Sequence, residues 1–127
     1  MKRALLALLA CITIVALAQE AGNPFEGTWR SGNFAFTFNA DGSYVYVGSM
    51  GNQNMNSHIS EQGTYRISGN QLLVTRSSGV VWTSANYRRD LPVETIVYQW
   101  QFGTVQGRAA LGLVFPNARQ PQVFFKE

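Results

Sequence analysis

The chain has 127 residues, the size of one domain, and its formal net charge is +3. Lys2 and Arg3 supply two of those positive charges and belong to a leader that we expect to be removed, so the mature chain is nearly neutral. The mature chain keeps a single lysine, and Arg88-Arg89 is its only basic pair. This composition excludes the basic face that nucleic-acid binding requires.

The first eighteen residues have the layout of a secretory signal peptide. Lys2-Arg3 form a basic start, residues 4–15 form an almost uninterrupted apolar run, and Ala16-Leu17-Ala18 is a small-x-small cleavage site. The apolar run is too short for a transmembrane helix, so we expect no membrane span. The sequence therefore predicts a signal peptide over 1–18 and one exported domain over 19–127, located in the periplasm or outside the cell.

Cys11 is the only cysteine, and it lies inside the apolar run. It offers an alternative leader, a lipoprotein box at Leu8-Leu9-Ala10-Cys11. That processing would leave the apolar residues 12–18 on the mature chain, so we prefer the ordinary signal. The mature protein then has no disulfide and no thiol chemistry, and burial of a hydrophobic core must stabilise it.

Apolar and polar residues alternate with a period of two through most of the mature chain, which is typical of strands. The first strand enters at Phe25 or Gly27, and Phe34–Phe38 continues it directly or after a bulge. The Asn39–Gly42 segment predicts a tight turn, because Asp-Gly supplies a positive-φ position. A second strand follows over Ser43–Ser49.

The rest of the chain repeats this pattern. Further strands are predicted over residues 57–67, 71–76, 80–87, 93–102, 108–115 and 122–126. Met50–Asn56 is predicted to be a polar loop, Ser77-Ser78-Gly79 a turn and Arg88–Pro92 a polar connector. Eight strands with short connections and no helical period predict an all-β fold, a monomeric antiparallel up-and-down meander barrel. The interior of such a barrel fits side chains or one small ligand.

Several motifs carry a resemblance to a known family. They are Gly27-Thr28-Trp29 at the first strand, the F-x-F-N-A-D-G-S-Y hairpin, the G-T-Y-R-I strand with its G-N turn, and the Y-Q-W-Q-F strand. Together they resemble the small bacterial lipocalin-like proteins, which are calycin-type β-barrels. The chain differs from typical lipocalins in being shorter and in lacking their helix and disulfide. It also lacks the biotin-facing residues of avidin-like barrels.

The resemblance implies a structural base at one end of the barrel. Trp29 would pack across the closed end, beside Gly27, with Lys126 or Arg119 over its ring in a cation–π contact. Gly27-Thr28-Trp29 is also echoed by Gly63-Thr64-Tyr65. We expect both glycines to lie where another strand passes closely.

Aromatic side chains dominate the predicted interior. Ile96, Tyr98, Trp100 and Phe102 share one face of the strand over 93–102, and exposing them together would leave a large apolar patch. The candidate ligand-binding residues are Phe36, Tyr46, Tyr65, Trp82, Tyr98, Trp100, Leu111 and Leu113. Among these the Tyr98 hydroxyl is best suited to orient the polar end of a ligand. The same side chains are equally compatible with a solid core.

Two polar residues stand out in the strand over 57–67. Glu61 falls on its apolar face, and we expect a local bulge to turn it outward; the alternative is a polar group inside the barrel. His58, the only histidine, is expected at the surface. With no second histidine and no mature cysteine we expect no metal site, and no acid–base pair or phosphate-loop motif appears. We therefore expect neither catalytic residues nor a cofactor.

The sequence thus predicts an exported, non-catalytic lipocalin-like protein that binds a small apolar molecule in its barrel. The alternative is a protein–protein interaction module, an inhibitor or an envelope accessory factor, with a solid core. It would use Met50–Asn56 or Arg88–Pro92 as its contact surface, since barrel loops are common binding surfaces. A packed interior with no cavity near about 300 Å³, the lower end for ligand pockets, would favour the protein-binding alternative.

Overall fold

A computed structural model describes residues 23–51, 56–84 and 87–127, and these residues form an all-β fold. The strands are β1 (Gly27–Ser31), β2 (Phe34–Phe38), β3 (Ser43–Gly51), β4 (Asn56–Ser68), β5 (Gln71–Thr83), β6 (Arg88–Asp90), β7 (Glu94–Val105), β8 (Arg108–Val114) and β9 (Gln122–Lys126). The predicted signal peptide, with Cys11, lies outside the described residues. None of the described segments contains a helix with the length and hydrophobicity of a membrane span.

Eight of these strands close into an antiparallel barrel. The order around it is β1-β2-β3-β4-β5-β7-β8-β9 and back to β1, while β6 pairs with β5 outside this ring. The predicted up-and-down barrel is therefore confirmed, with one extra strand. Neighbouring strands follow one another along the chain except where β6 intervenes between β5 and β7.

The first two strands differ from the prediction, because Phe34–Phe38 does not continue the first strand. β1 and β2 form an antiparallel hairpin in which Gly27 pairs with Phe38 and Ser31 pairs with Phe34. The chain reverses at Gly32-Asn33, where Gly32 has φ 58°. Glycine adopts this left-handed conformation without steric cost, so the segment predicted as a possible bulge is a tight turn.

The turn predicted at Ser77-Ser78-Gly79 is also wrong. β5 runs unbroken through these residues because β4 pairs with it along its whole length. Gly63 pairs with Arg76 and Gln62 pairs with Ser78, so Ser77 is the extra residue of a β-bulge. A Cβ on Gly63 would lie 1.9 Å from the Thr75 carbonyl oxygen, which confirms the close approach expected at this glycine.

Strands β3, β4 and β5 continue beyond the barrel. β2 pairs with β3 only as far as Gly48, and β7 pairs with β5 only as far as Arg76. We call the remaining part the extension: residues 49–51, 56–60 and 79–83, together with β6 and the Tyr87 that precedes it. The predicted loop Met50–Asn56 is shorter than expected, because Met50, Gly51 and Asn56 belong to strands. Residues 52–55 lie outside the described chain. The predicted connector Arg88–Pro92 is also shorter, because Arg88–Asp90 form β6.

Aromatic rings fill the middle of the barrel. The Phe36 ring lies 4.4 Å from the Tyr46 ring and 5.2 Å from that of Phe38, centroid to centroid. Phe36, Leu111 and Leu113 have no accessible surface at all. A side chain with no accessible surface has no water-sized space beside it, so the barrel is solid around these residues.

One end of the barrel is closed by residues from outside the sheet. Phe25, which precedes β1, is fully buried, and its ring lies 4.9 Å from Phe102 and 5.2 Å from Trp100. The Trp29 indole N–H donates to the Phe25 carbonyl oxygen at 2.8 Å. Lys126 rather than Arg119 covers Trp29, with its Nζ 5.0 Å from the ring centroid. A Cβ on Gly27 would lie 2.8 Å from Lys126 Cε, so the lysine side chain passes close to this glycine.

Candidate functional site

At the opposite, open end of the barrel an acidic side chain points inward. Glu61 is only 4% exposed, so the expectation that a bulge turns it outward is wrong. The extra residue of the bulge lies in β5, not in β4. The alternation of β4 is therefore intact, and Glu61 stays on the same inner face as Tyr65.

Glu61 is one member of a buried network of charges and hydrogen bonds. Arg76 Nε donates to Glu61 Oε2 at 3.1 Å, and the Tyr44 hydroxyl donates to Glu61 Oε1 at 3.1 Å. Arg76 Nη1 donates to Glu94 Oε1 and to the Pro92 carbonyl oxygen, each at 3.1 Å. Both buried charges are thus paired and hydrogen-bonded, which offsets the cost of removing them from water.

Arg76 lies at the point where β5 changes its pairing partner from β7 to β6. Arg76 pairs with Glu94 at the end of the β5–β7 ladder, and the β5–β6 ladder begins beyond the bulge at Val80. Leu91 lies above the ion pair: a Cβ on Gly79 would be 3.1 Å from Leu91 Cδ1 and 3.0 Å from Glu61 Cβ. The network therefore anchors the β6–β7 connector, residues 91–93, where β5 changes partner.

Three buried tyrosines lie within reach of the Glu61 charge, and one of them, Tyr44, donates to its carboxylate. Burial, and then the nearby Glu61 charge, raises the pKa of Tyr46 to about 12. Burial followed by Glu61 also raises the pKa values of Tyr44 and Tyr98. These hydroxyls are therefore protonated donors at neutral pH.

A small groove lies on the inner side of the extension, and we call it the inner groove. Its volume is about 200 Å³, and it is lined by Phe34, Gly48, Ser49, Met50, Ser57, His58, Ile59 and Val81. The Phe34 ring stacks on Tyr46 at a centroid distance of 6.0 Å, with 12° between the planes. The groove thus has an apolar wall that is continuous with the tyrosines of the open end.

Two further grooves lie against the outer side of the extension. One, of about 540 Å³, is lined by Ser60, Glu61, Gln62, Ser77, Ser78, Gly79, Val80, Arg88, Asp90 and Leu91. The other, of about 470 Å³, is lined by Val80, Trp82, Thr83, Tyr87 and Arg88. Because they share Val80 and Arg88, they adjoin, and we call them together the outer groove.

The structure separates the predicted ligand-binding residues into four groups. Phe36, Leu111 and Leu113 are fully buried in the middle, and Tyr65 and Trp100 pack against Phe25 at the closed end. Tyr46 and Tyr98 are brought together beside Glu61, within the reach of its charge. Trp82 is 38% exposed and stacks on His58 outside the barrel, at 5.4 Å between centroids.

Sequence reasoning missed Arg76, Glu94 and Leu91. A signal for Arg76 was present, since it continues the inward alternation of Leu72 and Val74 and therefore occupies a core position. An arginine and a glutamate at inward positions of adjacent predicted strands would have suggested the ion pair. Nothing local marks Leu91, whose place over the pair depends on where β5 changes partner.

Within the described ranges, no group of three or more histidine, cysteine, aspartate or glutamate side chains could hold a metal ion. No protein-family model, curated protein or solved structure shows a significant match to the chain. The closed antiparallel barrel of eight strands is consistent with a calycin-like fold.

Proposed function

We propose that the protein is a non-catalytic, lipocalin-like binding protein that takes a small apolar molecule at the open end of its barrel. The observation that carries this proposal is the inner groove, whose apolar wall of Phe34, Ile59 and Val81 reaches solvent beside the buried tyrosines. Binding sites for small molecules are concave and mostly apolar, with a few polar groups that fix orientation.

The middle of the barrel is less suited to a ligand. A molecule there would have to separate the Phe36 ring from Tyr46 and Phe124, whose centroids lie 4.4 and 5.6 Å away. Protein interiors are packed as densely as organic crystals, so this displacement would lose many contacts. We therefore place the ligand in the inner groove and not among these rings.

The size of the groove limits the ligand. An engineered cavity of about 150 Å³ accommodates benzene, so about 200 Å³ fits one aromatic ring or a short alkyl chain. The Tyr46 ring backs the Phe34 wall, and its hydroxyl is a protonated donor. We expect a ligand with an apolar body and a polar end that accepts a hydrogen bond.

Filling the groove tests this proposal. Val81→Trp places a large side chain in the inner groove, and we expect it to weaken binding of the fluorescent probe N-phenyl-1-naphthylamine about tenfold, equivalent to 1.4 kcal/mol. The matched control is Val97→Trp, since Val97 is exposed on β7 and lines none of the three grooves. Equal probe affinity in the two variants would contradict the proposed site.

Export belongs to the same proposal. It is supported by the basic start at Lys2-Arg3, the apolar run and the Ala16-Leu17-Ala18 site. The exported protein should begin at Gln19 when its N-terminus is sequenced. A lipid-modified Cys11 at the N-terminus would instead indicate a membrane-anchored lipoprotein.

A protein–protein interaction module is the second candidate, and both the solid interior of the barrel and the distribution of exposed apolar side chains support it. Half of the exposed large hydrophobic side chains of the described chain lie on the extension or in the β6–β7 connector: Met50, Trp82, Tyr87 and Val93. A photo-crosslinking residue in place of Met50 or Val93 should then form a discrete adduct in exporting cells. The same residue in place of Val105, on the opposite strand end of β7, should form none.

A further inference from the structure

The outer groove has a chemical character different from that of the inner groove. Val80 pairs with Asp90 and Trp82 pairs with Arg88 across β5 and β6. In the other direction Val80 pairs with Ser60 and Trp82 with His58. Directly paired residues lie on the same face of a sheet, so these side chains form one continuous outer surface.

One part of this surface is aromatic. Trp82 stacks on His58 with 22° between the ring planes, and Tyr87, which is 56% exposed, lines the same groove. The His58 ring supports the indole and so limits the conformations that it can adopt. Trp82 therefore presents an exposed aromatic surface of restricted mobility beside the Arg88 guanidinium.

The adjoining part is polar without an excess of either charge. Its lining offers hydroxyls from Ser60 and Ser78, the Gln62 amide, the Asp90 carboxylate and the Arg88 guanidinium. These groups include both hydrogen-bond donors and acceptors. Arg88 Nε lies 3.8 Å from Asp90 Oδ1, so the two opposite charges largely cancel each other.

We propose that the outer groove binds a neutral oligosaccharide, with one sugar ring stacked on Trp82 and its neighbour hydrogen-bonded by Asp90, Arg88 and Gln62. A sugar ring has an apolar C–H face and a rim of hydroxyls, so it matches an aromatic surface that continues into mixed donors and acceptors. A nucleic acid would need several unpaired cations. A protein partner would need an apolar centre depleted of charged residues, whereas Arg88 lines both parts of this groove and Asp90 lines the polar part.

Titration of the mature protein with chitotetraose, cellotetraose and maltotetraose, followed by amide chemical shifts and by calorimetry, tests the proposal. At least one of these probes should bind saturably and shift the amides of Ser60, Val80 and Trp82. Trp82→Ala should weaken that binding about tenfold, the equivalent of 1.4 kcal/mol, and Trp82→Phe should retain most of it. Val105→Ala, an exposed apolar residue on β7, is the matched control and should bind like the parent.

Absence of shifts with all three tetrasaccharides at millimolar concentration would overturn the proposal, as would equal binding by the parent and Trp82→Ala. A protein adduct formed through a photo-crosslinking residue at Trp82 would also overturn it in favour of a protein interface. Binding of N-phenyl-1-naphthylamine to the inner groove is independent, and it should persist in Trp82→Ala.

Discussion

The closed end of the barrel and the extension differ in what their aromatic side chains do. At the closed end, Phe25, Trp29 and Phe102 pack against one another, and Lys126 covers the outside. On the extension, Trp82 and Tyr87 remain exposed beside open grooves. Buried aromatic packing thus lies at one end of the sheet and exposed aromatic side chains at the other, with the Glu61–Arg76 pair between them. We therefore expect the closed end to contribute most to stability and place both proposed binding sites on the extension.

The largest expected effect is the difference in unfolding free energy between Trp29→Ala at the closed end and Trp82→Ala on the extension. Trp29→Ala removes a buried ring and its hydrogen bond to the Phe25 carbonyl, so the free energy of unfolding should fall by about 3–5 kcal/mol. Trp82→Ala, at an exposed position, should change it by no more than about 0.5 kcal/mol. Urea unfolding measures both, and equal losses of stability would show that the two ends do not differ.

The ion pair at the boundary should give the next largest effect. Arg76→Met leaves the buried Glu61 carboxylate without its cation, and we expect a loss of about 3 kcal/mol in unfolding free energy. The double variant Glu61→Leu with Arg76→Met removes both charges and should recover most of that stability. Urea unfolding of the parent, the single variant and the double variant measures both changes; a double variant as unstable as the single one would contradict this expectation.

Alkaline pH should destabilise the open end through its tyrosines. Burial and the Glu61 charge raise the pKa of Tyr46 to about 12, and burial raises those of Tyr44 and Tyr98 as well. Above the unfolded pKa of about 10, the unfolded chain loses phenolic protons that the folded chain keeps, so the free energy of unfolding falls as pH rises. Tyrosinate absorbance should show phenols that ionise only near pH 12; complete ionisation of the tyrosines near pH 10 would contradict the burial of Tyr46.

The cation over Trp29 should have the smallest effect. Lys126→Met removes the cation–π contact but keeps an apolar chain, and we expect a loss of about 0.5–1 kcal/mol. Arg119→Met is the control, because Arg119 is an exposed residue of the β8–β9 connection. Thermal unfolding compares the two; a larger loss for Arg119→Met would show that the cation over Trp29 is misassigned.

The sequence predicted those parts of the fold that depend on local chemistry. The period of two located most strands, and Asp41-Gly42 located the β2–β3 turn. Local signals did not decide whether Ser77-Ser78-Gly79 is a turn or a bulge, since small residues suit both. Pairing with β4 decides it, and that pairing is a long-range interaction.

The candidate site was less predictable for the same reason. Whether Glu61 faces inward depends on which of two paired strands contains the extra residue, and β4 shows no sign of that on its own. Trp82 was predicted to face inward, but the bulge at Ser77 reverses the alternation of the rest of β5. A displacement of one residue was therefore enough to move an aromatic side chain from the inside to the outside of the barrel.

We propose that the barrel is solid and that binding occurs at its open end. Amide chemical-shift mapping with N-phenyl-1-naphthylamine is the most direct test of this. We expect chemical-shift changes at Gly48, Ile59 and Val81, which line the inner groove. Leu111 and Leu113, which have no accessible surface, should keep their positions in the spectrum. The largest shifts at Leu111 and Leu113, with none at the inner groove, would contradict the account and place the ligand among the rings of the barrel.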